Sequence, residues 1–146
     1  MRQDQGDTSQ VSGTFPVTPW AGKYIGIPHQ EHGLTRAGIS CWGLLRLVWM
    51  EMIGFESPSF SGVPNRPAML EEYSKQFEPV ARGQEQEFDA VVMETEYRRR
   101  ENWVMAELHV GVIAYKGLVL HVHEGFLSHI EDIRRLRVTR ILRPTR

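Results

Sequence analysis

The chain reads as a single α+β domain in which one helix leads a strand-rich half. Three observations predict this. From Cys41 the apolar residues Cys41, Leu44, Leu45, Val48, Trp49 and Met52 follow the three-and-four spacing of a helix buried along one face. After Phe88 the pattern changes to short apolar runs separated by turn residues, which is how strands read. With 146 residues the chain has room for one ordinary core and not for two.

Taken in order, residues Met1 to Thr18 are rich in Gln, Ser, Thr and Gly and lack periodicity, so 1–19 is expected to be a flexible arm and 20–146 the domain. The helix starts behind Ser40, a good N-cap, and Gly54 can end it. The segment 55–85 opens with Pro, Ser and Gly turn signals and holds a short helix from Pro67 to about Phe77, which suits an insertion or cover. Strands are expected over Phe88–Met93, Leu108–Tyr115, Leu118–His123 and Val138–Leu142, with Arg98–Asn102 as a polar loop.

Composition excludes several classes. Hydrophobic residues at 41% and charged residues at 24% match a folded globular chain. A net charge of −1 exerts no general pull on nucleic acid, and no run approaches the ~20 apolar residues of a membrane helix. Cys41 is the single cysteine, so no intramolecular disulfide can form.

Cys41 also carries the first chemical signal. A thiol at a helix N-terminus is pushed toward thiolate by the unpaired amides and the dipole, and the same amides could hold an oxyanion. Gly43 would leave that approach open. The plain alternative is a small buried hydrophobe. His109 opens a strand, and His121 and His123 lie on the next one. If Tyr115-Lys116-Gly117 is the loop, Ala114 faces Leu118, His109 faces His123, and all three imidazoles share a face. Either His121 or His123 could then orient His109 as a base.

The segment Ser40-Cys41-Trp42-Gly43-Leu44-Leu45 resembles the nucleophile motif of NlpC-type cell-wall cysteine peptidases, usually Asp-Cys-Ser-Gly-Leu-Val and, in phage-related members, Asp-Cys-Trp-Gly-Leu-Val. His109-Val110-Gly111-Val112 is similar to the family's His-Val-Gly-Ile strand. Leu120-His121 falls where the family places its orienting residue, twelve positions on (121 − 109), which selects His121 over His123. Asp89-Ala90-Val91-Val92 resembles the strand before the histidine, and Tyr24 to Gly33 the family's lead-in. Ser40 stands in place of the usual aspartate, and His29 where the family usually has tyrosine.

The resemblance implies a papain-like fold with the nucleophile helix on a small antiparallel sheet. It implies catalytic Cys41, His109 and His121, no cofactor, and peptidoglycan stem peptides as substrate, typically cut between D-glutamate and a diamino acid. Trp42 points to the phage branch, whose members ride in tails or gene-transfer particles. Tail hub or baseplate partners are then expected. No apolar core of an export signal stands near Met1, so the protein is expected to be made in a bacterial cytoplasm and carried in a virion tail or phage-like particle.

Other readings are weaker. A structural tail protein keeping the fold without activity is one. Zinc on Cys41, His109, His121 and His123 is another, but their spacing matches no common zinc pattern. The arginines from Arg134 to Arg146 are interleaved with apolar residues as on a half-exposed strand, which suits docking to an acidic partner or solvation better than nucleic acid. His32 and His129 read as surface histidines, Trp49 as core, and Trp42 as a flank of the substrate groove.

Overall fold

A computed structural model describes residues 19–57, 76–99 and 102–145, with side chains at 96–99 and 102–108 left aside. The expected arm to Thr18 and the expected helix from Pro67 lie outside the described residues. Chain order is a 3-10 turn Ala21–Tyr24, strands β1 (Leu34–Thr35) and β2 (Gly38–Ile39), helix α1 (Cys41–Val48), a π-turn Trp49–Ile53, then β3 (Phe77–Pro79), β4 (Ala90–Arg99), β5 (Asn102–Tyr115), β6 (Leu118–His121), β7 (His129–Asp132), a 3-10 turn Ile133–Arg135 and β8 (Arg137–Pro144). Among the described residues, six strands make one antiparallel sheet in the order β3-β8-β4-β5-β6-β7, and β1 and β2 form a separate hairpin. This is the α+β architecture expected.

Helix α1 starts where its cap predicts. Ser40 Oγ accepts from the Gly43 amide at 3.0 Å and donates to the Gly33 carbonyl. The last turn widens into the π-turn and stops at Gly54, whose φ of 67° favours glycine. Cys41, Leu44, Leu45, Val48 and Trp49 are all buried, against Ala90, Val92, Val110, Val112 and Leu120 of the sheet. Trp49 is core, as expected, and its indole N–H donates to the Phe88 carbonyl at 2.7 Å. A second cluster, Val91, Met93, Ile113, Val119, Ile133 and Ile141, covers the opposite parity of the strands.

Three local expectations are corrected. Arg98, Arg99 and Asn102, expected in a loop, are strand residues: β4 and β5 stay paired out to Arg99 and Asn102, because a ladder satisfies the backbone of polar residues as well as apolar ones, and 100–101 lie outside the described residues. The β5–β6 turn is Lys116-Gly117 alone, with Tyr115 opposite Leu118 and Gly117 at φ 80°. Ala114 is the extra residue of a bulge, which restores Ile113 opposite Val119 and Val112 opposite Leu120, the register expected deeper in the hairpin. The strand over 118–123 ends at His121, so His123 lies beyond it. β7, with its polar sequence His-Ile-Glu-Asp, was not anticipated, nor was Phe77–Pro79 as a strand paired to β8.

Candidate active site

Cys41 is the first residue of α1 and 8% exposed. Gly43 serves a purpose other than the open approach expected of it. A Cβ there would stand 2.2 Å from the Gly33 carbonyl oxygen, so the missing side chain lets the lead-in hairpin close on the helix start. Trp42, expected beside the substrate groove, is buried, with Leu45, Val110 and Leu142 around it.

The structure brings His109 and His121 into direct contact, His109 Nε2 lying 2.8 Å from His121 Nδ1. His121 Nε2 in turn lies 2.9 Å from Glu131 Oε1. A carboxylate only accepts, so His121 carries its proton on Nε2 and offers a lone pair at Nδ1. That lone pair accepts from His109 Nε2–H, and His109 is left with a lone pair at Nδ1, the form a general base needs. The relay is therefore Glu131 to His121 to His109.

Burial is the first cause of the low basicity here. The protonated form of His109 is disfavoured by desolvation and then by the charges of His121, His123, His29 and His129, which hold its pKa down to about 3. Desolvation lowers His121 as well, against the opposing hydrogen bond that His121 makes to Glu131, and lowers the half-buried His123. Neutral rings are what the relay requires.

Strand parity puts His109, opposite Met93, with Ile113, whereas Val110 and Val112 meet α1. The packed flank of α1 thus faces Val110 and Val112 and not His109, while Cys41 stands at the helix's N-terminal end. The lead-in ties the two regions. His29 bridges to Ile39, two residues before Cys41, and is among the groups that hold down the basicity of His109 and His123.

Two residues escaped the sequence reading. Nothing in the sequence pattern singles out Glu131, and His129 reads there as a surface histidine. Their strand pairs with β6, His121 opposite His129 and Val119 opposite Glu131, so both side chains share the face of His121. The His121 and His129 ring centroids are 4.6 Å apart. Alternation at 119, 121, 129 and 131 could have found them, had the polar run been recognised as a strand. His123 stacks on His121 at 5.5 Å without joining the relay. His32 is exposed beside Glu31, as expected. Arg143 is not a free basic tail residue: its guanidinium binds both oxygens of buried Asp89 at 2.9 Å.

A cleft of about 280 Å³ opens over this cluster, lined by His109, His121, His123, Glu131, Arg135 and Thr95 among others. No family model matches the chain, and comparison with curated proteins finds no match. Solved structures do match. The NlpC/p60 domain of the peptidoglycan hydrolase SagA superposes with a TM-score of 0.58 at 18% identity, over 85% of this chain and 92% of that one. A P60 domain from an M. avium subspecies paratuberculosis antigen gives 0.55 at 17%, over 84% and 87%. The fold is that of NlpC/p60 domains, one helix set on an antiparallel sheet.

Proposed function

We propose that the protein is a cysteine endopeptidase that hydrolyses amide bonds in peptidoglycan stem peptides. The observation that carries this reading is the Glu131–His121–His109 relay, which leaves His109 Nδ1 able to accept a proton. It stands in a chain whose single cysteine opens a capped helix. Structural likeness to a domain of a peptidoglycan hydrolase supports the substrate class.

In this reading His109 takes the Cys41 proton, and the thiolate attacks the peptide carbonyl while α1 amides hold the oxyanion. His109 then protonates the leaving amine as the C–N bond breaks. Water, deprotonated by His109, releases the acyl group from sulfur. His121 keeps the His109 ring in place throughout. The Cys41-Trp42-Gly43-Leu44 motif supports a place in a phage or phage-like tail, with hub or baseplate proteins as partners.

The test is digestion of purified peptidoglycan followed by mass spectrometry of the released fragments. Wild type should release fragments ending at a cut stem peptide, and Cys41→Ala should release none. Equal release by both would sink the assignment. Tail context is tested by looking for the protein in purified particles; finding it only as free monomer would remove that part.

A further inference from the structure

We propose that His121, His129 and Glu131 form a divalent-cation site of the zinc type, and that filling it locks the histidine pair in an unproductive tautomer. The site itself stands on geometry alone. Its inhibitory consequence rests on the peptidase reading above.

One ligand atom from each residue lies within 4.8 Å of the other two. Glu131 Oε1 is 2.9 Å from His121 Nε2 and 3.6 Å from His129 Nε2. Ligands held at 2.0–2.2 Å around a tetrahedral ion stand about 3.3–3.6 Å from one another, so the His129 separation already fits and the His121 one needs to open by a few tenths of an ångström. Two imidazoles and one carboxylate, with water as fourth ligand, is a set that zinc accepts and that magnesium or calcium would not select.

The protonation pattern points the same way. His129 Nδ1 lies 2.8 Å from the Leu127 carbonyl oxygen, which only accepts, so the proton is on Nδ1 and Nε2 presents a lone pair. That lone pair faces Glu131 Oε1, another acceptor. An ion placed between these two atoms, 3.6 Å apart, would satisfy both. Each imidazole also has its second nitrogen engaged, His129 by Leu127 and His121 by His109, the outer support that orients metal-bound histidines. Arg135 stands 3.9 Å from the other carboxylate oxygen and leaves Oε1 for the ion. The cleft over His121 and Glu131 gives an entry path.

An ion on His121 Nε2 takes the lone pair of the nitrogen that otherwise carries the proton. That proton moves to Nδ1, which then donates to His109 Nε2, and the His109 proton moves to its Nδ1. No proton is gained or lost. His109 can no longer accept from Cys41.

The experiment uses the full chain freed of metal by chelator. Cobalt is titrated as the probe and followed by the visible absorption of a tetrahedral ion, and zinc by competition with it. Expected are one ion per chain and no cobalt–thiolate band. Affinity should be unchanged in Cys41→Ser and at least about tenfold weaker in His129→Ala and in Glu131→Ala, each shown folded by circular dichroism. Binding that survives His129→Ala undiminished, or is lost in Cys41→Ser, overturns the site. Peptidoglycan cleavage by wild type should fall when zinc is added and return with chelator, while His129→Ala needs correspondingly more zinc. Cleavage indifferent to bound zinc overturns the tautomer lock. If chelated wild type never cleaves, the peptidase reading and the lock fall together, and the cobalt titration alone decides the site.

Discussion

His109 and His121 meet nearly edge-on, their rings 69° apart and 2.8 Å from nitrogen to nitrogen, because a bulge at Ala114 sets the register between their strands. With the same two-residue turn and no bulge, His121 would fall opposite Val112 and point to the face that receives α1. The contact is the outcome of that one extra residue.

Replacing His121 with Ala should cost on the order of a hundredfold or more in kcat with little change in KM, since the base then loses the acceptor that holds its tautomer. His123→Ala should be mild, because His123 stacks on the relay without bonding into it. Steady-state rates on a defined stem peptide decide this. An inactive His123→Ala beside a near-normal His121→Ala would reverse the two roles.

Glu131→Ala, assayed with chelator present, should lower kcat by roughly ten- to a hundredfold, less than His121→Ala, since His121 can still accept from His109 in one of its two tautomers. Glu131→Gln should recover part of the rate through its amide oxygen. A full rate in Glu131→Ala would show that the relay ends at His121.

Acid should unfold the protein through its buried histidines. His109 has a folded pKa near 3 against 6.5 when unfolded, so between those values the unfolded chain binds more protons and stability falls as pH falls. Above 6.5 this contribution is constant. His121 is lowered in the same direction. Denaturant melts from pH 8 to 4 should lose up to about 1.4 kcal/mol per pH unit for each such histidine, and His109→Gln should flatten the slope. A slope unchanged in that variant would count against the burial of neutral His109.

Arg143→Met should destabilise by roughly 3 kcal/mol or more, because it leaves the Asp89 carboxylate, which is almost wholly buried, with the Gln86 amide as its one remaining hydrogen-bond partner among the described residues. Asp89→Asn should cost less, since the half-buried Arg143 can reach water. Urea midpoints of the two variants compare them directly; a milder Arg143→Met would mean the carboxylate finds other solvation.

Much of the fold was legible because it is encoded locally. The 40–54 helix, its cap and its glycine stop follow from spacing and side-chain chemistry within a few residues. The two strands carrying His109, His121 and His123 follow from their apolar runs and the short turn between them, which puts the three imidazoles on one face; the choice of His121 over His123 came only from the family spacing. Beyond that reach, the chain alone could not say that Ala114 bulges, that β4 and β5 stay paired as far as Arg99, or that Trp42 is buried. β7 was illegible for a plain reason: its four residues have no apolar alternation of their own and become a strand only by pairing with β6. Glu131 and His129 came with it. The sequence by itself determined the helix, the cysteine at its start and three histidines on one face; tertiary pairing decided which two of them bond and which carboxylate joins them, because a hydrogen bond between neighbouring strands depends on register, and register is a property of the assembled sheet.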